Sequence, residues 1–452
     1  MIHDFDKAIE TIEERIAQND ISGLNALLAS FHPGDLAFIA NHLASEDLPP
    51  FLEQVRRLED LHEMIFLLDP EPAEYLIRLL PAAEVKKLFS ILDTDDSAKI
   101  ISFLPPELAS WVFEHLEPES NQDASTLLQY EDETAGRIMS LDYVSLSAEA
   151  TVEEAFEMLK RAVDAETIYT LYIVDEWRKL VGVCSLRELL HEPNKKKLKE
   201  FMAQEVIAVN AAMDREEVVK YFERHHLNAL PVVDAQHRLV GVITVDDVIH
   251  VLRSEATEDI MMQVGTTEDE FRLQSPLKGF RRRMPWLLVS FFGGMLTIQT
   301  NIYFAGLIHQ VEFLAFITVI AGMGGNIASQ SSTIVVRGLA TGKILVGELW
   351  EVLIKEVSIG AMLGLFFGLL LGGLASLQFS QISMIGLSVM AGMIFSMLIA
   401  ACVGSLLPMI FQRFQIDPAV ATGPFVSTTI DNLGLLGYFG SVYLILRHVT
   451  PT

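Results

Sequence analysis

The chain has 452 residues, of which 50% are hydrophobic, and its mean hydropathy is +0.34. This composition is too apolar for an ordinary soluble protein and indicates that part of the chain lies in a membrane. Residues 285–452 carry six acids and five bases, so −26 of the net charge of −27 falls on residues 1–284. That balance argues against nucleic acid and for cations as partners, although a solvated acidic surface explains it equally well.

The N-terminal segment "MIHDFDKAIETIEERIAQ" is acidic and amphipathic, unlike a signal or transit peptide, so we expect the N-terminus to stay in the cytosol. Segments such as "FHPGDLAFIANHL" and "LLDPEPAEYLIRLLP" then predict short helices joined by Pro and Asp turns. They favour an acidic, all-α superhelical domain over residues 1–130. The two cysteines, Cys184 and Cys402, are far apart and indicate neither a disulfide framework nor a thiolate metal site.

An internal duplication follows. Residues 171–190 read "LYIVDEWRKLVGVCSLRELL" and residues 230–249 read "LPVVDAQHRLVGVITVDDVI". Each copy follows an amphipathic helix and predicts a strand, a turn, a second strand "LVGV" and a helix opened by Ser185 or Thr244. The pattern resembles a tandem CBS domain pair, an α/β regulatory module that often binds adenine nucleotides. The resemblance places the first CBS domain at 137–200 and the second at 201–255.

The turn from strand to helix in each copy is a candidate nucleotide site. In CBS modules a Ser or Thr followed three residues later by an acid can hold ribose and phosphate, which here means Ser185 with Glu188 and Thr244 with Asp247. A helix N-terminus also favours phosphate. The alternative is that these residues are ordinary helix caps that bind nothing.

Five apolar stretches are each long enough for a helix of about 20 residues to cross the hydrocarbon core. Basic residues precede the first stretch and lie between the second and third and between the fourth and fifth, which makes those segments cytoplasmic and puts the C-terminus outside. The stretches are 285–309, 313–336, 357–378, 382–410 and 419–446, and the basic residues are Lys278, Arg281, Arg282, Arg283, Arg337, Lys343, Lys355 and Arg413.

The second stretch is unusually polar for a lipid-facing helix. Residues 321–340 read "AGMGGNIASQSSTIVVRGLA". Glycine alone would indicate close helix packing, but the polar residues of this stretch favour a water-filled pathway. They are Asn326, Ser329, Gln330 and Ser331.

Asp431 lies in the fifth stretch, within "FVSTTIDNLGLLGYF", without a cationic residue in the same stretch. A carboxylate at membrane depth costs at least about 2.5–3.5 kcal/mol, so it is a functional candidate. It is protonated and structural, relays protons, or binds a cation. The five stretches hold no other acid, and a proton relay usually needs several acids or histidines, so a cation site leads.

The order of these segments, with "GGN...Q" in the second stretch and "GPFVSTTIDNLG" in the fifth, resembles the MgtE family of magnesium channels over nearly the whole chain. The resemblance implies a multidomain membrane protein, with an all-α N-terminal superhelical domain, an α/β tandem CBS pair, a connecting helix and a five-helix transmembrane domain, assembled as a homodimer. It assigns residues 256–283 to the connecting segment, helical from about 256 to 276, and residues 284–452 to the transmembrane domain.

The resemblance also implies where ions bind. Asp431 would meet hydrated Mg²⁺ on the dimer axis, and cytosolic Mg²⁺ would bridge acidic surfaces and close the pore through the connecting helix. The ion pathway would include Gly325, Asn326, Gln330, Ser427, Thr428 and Asp431. The regulatory Mg²⁺ sites would include Asp95, Asp214, Glu216, Asp247, Glu255, Glu258 and Asp259, with Asp417 close by, although each of these acids is alternatively a solvated surface carboxylate.

The chain departs from the family pattern at several positions. Lys99, His226 and His250 stand where acids are usual, and a surface histidine is commoner than a histidine that binds a softer ion. Thr170 and Leu227 replace the aromatic residues expected beside adenine, although Arg187 is retained for ATP. Ala328 and Gly423 stand at pathway positions that can be Gly and Asn.

Two other functions remain open at this point. The first is a CBS-regulated transporter of Co²⁺, Ni²⁺ or Zn²⁺, and the second is a membrane-anchored ion or nucleotide sensor that conducts nothing. An enzyme is disfavoured, because the sequence offers no H-E-x-x-H ligand spacing and no nucleophile with its base.

Overall fold

The computed structural model describes residues 5–57, 61–162, 165, 167–267, 270, 276–308, 311–379, 384–421 and 423–449. The chain divides into two compact units, Met1–Leu252 and Arg253–Thr452.

The N-terminal part of the first unit is all helical, which confirms the predicted class. Proline opens several of its helices, where its fixed φ fits the first turn and its missing N–H costs nothing. One core that includes Ile12, Phe51 and Phe89 runs through the helices. They are α1 (Phe5–Ala17), α2 (Ile21–Leu28), α3 (Pro33–His42), α4 (Leu48–Val55), α5 (His62–Ile65), α6 (Pro70–Leu79), α7 (Ala82–Phe89), α8 (Thr94–Phe103), α9 (Pro106–His115) and α10 (Pro118–Leu127).

The duplicated segment folds into two matching three-stranded sheets. In each, the first strand is parallel to the second and the second is antiparallel to the third. The first copy contains β1 (Tyr143–Ser147), α11 (Val152–Arg161), β2 (Thr167–Val174), β3 (Leu180–Ser185) and α12 (Leu186–His191), and the second contains β4 (Val209–Asn210), α13 (Arg215–His225), β5 (Ala229–Val233), β6 (Leu239–Thr244) and α14 (Val245–Gln263). The predicted order of elements is confirmed.

The repeated glycine in "LVGV" has a structural cause. The segment that precedes each copy crosses to the other sheet, so that Ser140 pairs with Val242 of β6 and Ala203 pairs with Val183 of β3. A Cβ at Gly241 would lie 2.9 Å from the Ser140 carbonyl oxygen, and one at Gly182 would lie 3.1 Å from that of Ala203. A side chain at either position would press on the crossing backbone, so glycine suits both crossings.

Helix α8 docks on the second CBS domain. Ala98 is fully buried in the core that the second domain forms with Met139 and Val218. The Thr94 hydroxyl accepts a hydrogen bond from the Leu141 backbone N–H at 2.7 Å. Helix α8 therefore packs both on the second copy and on the segment around Met139 and Leu141 that crosses to it.

The predicted connecting helix from about 256 to 276 is wrong in its bounds. Helix α14 begins at Val245 and ends at Gln263, because Gly265 adopts φ +76°. The Thr266 N–H bonds the Met261 carbonyl and the Gly265 N–H bonds the Met262 carbonyl, which is a Schellman motif. Residues 268–269 and 271–275 of the predicted segment lie outside the described residues.

Five helices within the described residues are long and apolar enough to cross a membrane, as predicted. The first begins nine residues and the third eight residues before its predicted stretch. A 3₁₀ segment, Val311–Phe316, precedes the second. The helices are α15 (Pro276–Ile308), α16 (Ile317–Ala340), α17 (Leu349–Gln378), α18 (Ile385–Arg413) and α19 (Gly423–Val449).

Helices α17 and α18 approach closely along a glycine stripe. Gly360, Gly364, Gly368 and Gly372 recur every fourth residue on α17 and are all buried. A Cβ added to Gly368 would lie 2.9 Å from the Met390 carbonyl oxygen of α18. This is the small-residue packing that membrane helices use in place of a hydrophobic driving force.

We predict that Gly368→Leu destabilises the second unit by about 1–3 kcal/mol or more, because its side chain must push the α18 backbone away. Thermal unfolding of the detergent-solubilised full chain measures the effect. Gly373→Leu is the matched control, since a Cβ at Gly373 meets nothing within 4 Å. Equal melting temperatures for the two variants would contradict the glycine-packing account.

Candidate functional site

Asp431 lies eight residues into α19 and is half-buried. Within the described part of the chain, no hydrogen bond or ion pair is seen for its carboxylate. The position is therefore that of an acid whose charge the surrounding side chains do not compensate.

The two membrane motifs meet at a buried serine of α18. Ser396 is 1% exposed, and a Cβ at Gly324 of α16 would lie 3.0 Å from its hydroxyl oxygen. A Cβ at Gly434 of α19 would lie 2.9 Å from the same oxygen. These glycines thus serve close packing, and they bring the segment before Asn326 next to the helix turn that carries Asp431.

The polar residues of α16 occupy its other face. Asn326, Ser329, Gln330 and Thr333 are exposed, whereas Ile327 and its neighbours on the opposite face are buried. Their spacing of three and four residues forms one stripe along the helix. Since lipid gives amides and hydroxyls no partners, this stripe needs water or another chain. Gly325, at its edge, is half-buried.

Two further predicted pathway residues bond to their own helix. The Ser427 hydroxyl donates to the Pro424 carbonyl at 3.3 Å, and the Thr428 hydroxyl donates to the same oxygen. The Thr428 methyl group lies against Gly293 of α15, so Thr428 belongs to the contact between these helices.

Asn432, beside Asp431, is a functional candidate that the sequence interpretation missed. Its amide donates to the Thr428 carbonyl at 2.8 Å and to the Gly293 carbonyl of α15 at 3.3 Å. Its Oδ1 accepts from the Thr297 hydroxyl at 3.3 Å. Asn432 therefore fixes α19 against α15 next to the unpaired acid, and its place in "TTIDNLG" was the available signal.

The expectation from the predicted stretches that the membrane helices hold no second acid is wrong. Glu356 lies inside α17, is 3% exposed and accepts a hydrogen bond from the Ser331 hydroxyl of α16 at 2.8 Å. The sequence prediction omits Glu356 because the predicted apolar stretch begins at residue 357, whereas the helix begins at Leu349.

The end of α14 contacts the same helices. The Thr333 hydroxyl of α16 donates to Gln263 Oε1 at 3.2 Å, and Arg337 Nη1 lies 4.0 Å from Asp259 Oδ2. Gly423 has φ +51°, and a Cβ there would lie 2.5 Å from the Gln263 carbonyl oxygen. Glycine at 423 thus allows α14 to seat against the first residue of α19. Glu255 and Glu258 are half-buried on the preceding turns of α14.

In the first unit, the beginnings of α8 and α14 bring several carboxylates together. Asp95 and Asp247, both predicted from the resemblance, lie here and are half-buried. The cluster also contains Asp93, Asp96, Asp142 and Asp246. The sequence did not predict these four, because they come from segments that are far apart in the chain and become neighbours only in the fold. We call these six residues the acidic cluster.

Desolvation and the charges of neighbouring carboxylates raise the pKa values of four members of the acidic cluster. Burial raises the pKa of Asp96 to about 7, opposed by the Lys99 charge and increased by Asp247. Burial raises the pKa of Asp247 to about 6, although hydrogen bonds from Thr244 oppose the shift. Burial and the Asp93 charge raise the pKa of Asp142 to about 6. The cluster therefore holds protons, or needs cations, near neutral pH.

Other predicted sensor acids have local structural partners. Asp214 caps α13 by accepting from the Glu216 N–H at 2.8 Å, and Glu216 pairs with Lys220 at 3.2 Å. Asp417 is exposed and accepts from the Ala419 N–H at 2.8 Å. These are the roles of ordinary caps and surface pairs, and the structure does not bring them into one group with Asp95.

The two candidate nucleotide turns are occupied by helix caps. Ser185 and Glu188 form a capping box, with the Ser185 hydroxyl 2.8 Å from Glu188 Oε2. The Thr244 hydroxyl donates to Asp247 Oδ2 at 2.8 Å. The other predicted nucleotide residue, Arg187, is exposed. Of the two residues that replace the expected aromatic side chains, Thr170 pairs with Ser185 across β2 and β3, and Leu227 packs on the core of the second domain.

The two substituted histidines are both exposed. His226 is exposed in the left-handed conformation that ends α13, and His250 is exposed on α14. Among residues 5–449, outside the gaps given above, no three His, Cys, Asp or Glu side chains converge closely enough to hold a metal ion.

Comparison with known families matches three segments of the chain. The MgtE model, described as a divalent cation transporter, matches residues 317–441, and the MgtE intracellular N domain matches residues 31–133. The CBS domain model matches residues 135–195 and 198–254.

Curated relatives align along almost the full length. The chain is 32% identical to the magnesium transporter MgtE of Thermus thermophilus, over 98% of this chain and 100% of that protein. It is 29% identical to the magnesium transporter MgtE of Bacillus subtilis, over 96% of this chain and 97% of that protein. A solved structure, the cytosolic domain of the Mg²⁺ channel MgtE in complex with ATP, is 32% identical, with a TM-score of 0.49, and covers 54% of this chain and 99% of its own.

We predict that the contact between α8 and the second CBS domain strengthens as pH falls. Acids with raised pKa values take up protons on docking, so docking is most favourable below about pH 4, the ordinary carboxyl value, and weakens until pH exceeds about 7. Energy transfer between dyes on the two domains of the full chain, in EDTA from pH 5.5 to 8, measures it.

The double variant Asp96→Asn, Asp247→Asn should flatten this pH dependence. Glu107→Gln, an exposed acid on α9, is the control and should leave it intact. A pH response that persists in the double variant would show that other groups carry it.

Proposed function

The chain belongs to the MgtE family of magnesium transporters, and on that premise we propose that it is a magnesium-selective channel that imports Mg²⁺ into the cytosol and closes when cytosolic Mg²⁺ rises. The observation that carries this proposal is Asp431, a membrane acid without a protein partner in the described residues, packed beside the polar helix α16. The family transports ions and is not an enzyme family.

Magnesium suits such a site for a chemical reason. Mg²⁺ gives up its water ligands reluctantly and binds carboxylates while keeping several waters. A hydrated ion beside Asp431 supplies the positive charge that α19 lacks there, and the waters bond to amides such as Asn326 and Gln330. A site that needs no complete cage of protein ligands agrees with the absence of a three-residue metal group among the described residues.

We propose that the pathway forms on the axis of a homodimer. The side chains of Asn326, Ser329 and Gln330 on α16 are exposed, as those of an axial lining would be. Helix α15 contacts chiefly α19, and its large side chains are exposed, among them Leu287 at 63% and Tyr303 at 65%. A second copy would cover part of this surface and set two Asp431 carboxylates around one ion.

The proposed membrane is the inner, cytoplasmic membrane, with a fixed orientation. The basic residues around Arg282 lie near the start of α15, Lys343 lies between α16 and α17, and Arg413 ends α18. The positive-inside rule places these segments, and with them the N-terminal and CBS domains, in the cytosol. The end of α19 then lies outside.

Cytosolic Mg²⁺ would close the channel by neutralising acidic surfaces. The acidic cluster repels itself when it loses its protons, and divalent ions at Asp95 and Asp247 would remove that repulsion and hold α8 on the second CBS domain. Helix α14 carries Asp247 in its first turn and Gln263 at its end, against α16 and α19. Ion binding at Glu255, Glu258 and Asp259 would hold that end in place.

The roles of the remaining candidates follow from the same scheme. Asp214, Glu216 and Asp417 would attract Mg²⁺ as part of the acidic surface. ATP bound to the CBS pair would meet the turns that Ser185 and Thr244 cap.

We predict that Asp431→Ala lowers Mg²⁺ flux at least about tenfold and leaves the fold intact, because the ion loses its only charged partner in α19. Uptake into proteoliposomes of uniform orientation measures it, and Glu351→Ala, an exposed acid of α17, is the control. Wild-type flux should also fall as Mg²⁺ rises on the cytosolic-domain side.

Each alternative has its own signature in that assay. Equal or faster uptake of Co²⁺, Ni²⁺ or Zn²⁺ in competition with Mg²⁺ would show that the channel is not selective for Mg²⁺. Absence of flux for every ion would indicate a membrane-anchored sensor. Normal flux in Asp431→Ala would remove the assignment of the pathway to this residue.

Lys99 supplies a second prediction about gating. Its charge opposes the raised pKa values of Asp96 and Asp247, so it partly takes the place of a bound cation in the acidic cluster. We expect Lys99→Ala to increase flux about two- to fivefold when the cytosolic side lacks divalent ions, and to leave flux at saturating Mg²⁺ unchanged.

The control for this prediction is Lys87→Ala, an exposed lysine of α7. If Lys99→Ala and the wild type conduct equally without cytosolic Mg²⁺, Lys99 does not contribute to closure.

A further inference from the structure

Glu356 is the buried acid that the proposed pathway does not use. The buried positions of α17 recur every fourth residue, and from Gly360 to Gly372 they are all glycines packed against α18. Glu356 occupies the preceding position of the same stripe and is 3% exposed. A long, ionisable side chain thus stands where close helix packing alone would favour a small one.

The carboxyl group has a specific partner. The Ser331 hydroxyl, 4% exposed, donates to Glu356 Oε2 at 2.8 Å. In the described ranges, no other side-chain hydrogen bond joins α16 to α17 or α18. Burying the Glu356 carboxyl group costs free energy even with the hydrogen bond from Ser331. Without that bond, the buried Ser331 hydroxyl would also lose its partner, which would increase the cost.

The bond acts on the helix that carries the polar stripe. Ser331 directly follows Gln330, and neighbouring residues of a helix differ by about 100° around its axis. Ser331 points into the bundle, whereas Asn326 and Gln330 point away from it. Holding Ser331 against α17 therefore fixes the rotation of α16 that presents both amides to the pathway.

The bond also lies at a depth close to that of Asp431. Glu356 is seven residues, or about 10 Å, from the start of α17, and Asp431 is eight residues, or about 12 Å, from the start of α19. In a bundle of alternating helices these two starts lie at the same end. Rotation of α16 at this level would move Gln330 relative to an ion at Asp431.

We infer that Glu356 is a positioning residue of the ion pathway, which holds α16 through Ser331 so that Asn326 and Gln330 face the hydrated ion. The inference rests on the proposed Mg²⁺ conduction. Glu356 touches neither the ion nor its waters, and it acts on selectivity by orienting a neighbouring helix.

The test compares Glu356→Gln, Glu356→Ala, Ser331→Ala and the Glu356→Ala, Ser331→Ala double variant in the full chain. Mg²⁺ flux per folded dimer and the ratio of Ni²⁺ to Mg²⁺ flux are measured in proteoliposomes. Glu351→Gln is the matched control on the exposed face of α17.

We expect Glu356→Ala and Ser331→Ala each to lower Mg²⁺ flux about tenfold and to raise the Ni²⁺ to Mg²⁺ ratio, with no further loss in the double variant. Glu356→Gln should keep both values, since its amide oxygen accepts the same bond. A merely structural role would lower the yield of folded protein without changing the flux ratio of what remains.

Two results would overturn the inference. The first is an unchanged flux ratio in both alanine variants. The second is a Glu356→Gln variant as impaired as Glu356→Ala beside a normal Ser331→Ala, which would mean that the charge itself is needed. Failure of the wild type to conduct Mg²⁺ would instead refute the proposed function on which the inference rests.

Discussion

Negative charge that the chain does not itself neutralise is the constraint on which both units depend. In the membrane unit, Asp431 has no partner among the described residues, and in the first unit burial raises the pKa values of Asp96 and Asp247. A buried or membrane carboxylate is tolerated only with a cation or a proton. The fold places the carboxylates of the acidic cluster near one another, and the membrane helices leave Asp431 half-buried.

Much of this architecture was predictable because it rests on local patterns. The duplicated strands, the caps at Ser185 and Thr244 and the five membrane helices follow from periodicity and length alone. The motif residues Asn326 and Asp431 stood out because polar groups in apolar segments are costly. The approach of Gly324 and Gly434 to Ser396 could not be predicted from the sequence, since it depends on which helices pack together.

The failures have equally physical causes. Hydropathy starts the predicted third apolar stretch only after Glu356, because a charged residue interrupts an apolar run. In the structure Glu356 is buried in the helix and accepts a hydrogen bond from Ser331. The predicted connecting helix continues through Gly265, whereas the positive φ of Gly265 ends α14. Asp93 and Asp246 were overlooked because nothing in the sequence shows that the beginnings of α8 and α14 are neighbours.

Under the proposed function, the same ion serves as cargo and as signal because the two proposed kinds of site bind it differently. At Asp431 a hydrated ion needs one charge and an open route, so binding there can be weak enough for release. In the acidic cluster the ion must displace protons from carboxyl groups whose pKa values burial raises to between about 6 and about 7. Closure is then favoured by Mg²⁺ and by protons alike, since either one relieves the same repulsion. In this scheme Lys99 supplies one fixed positive charge near Asp96 and Asp247, which lowers the repulsion between these carboxylates before any ion binds.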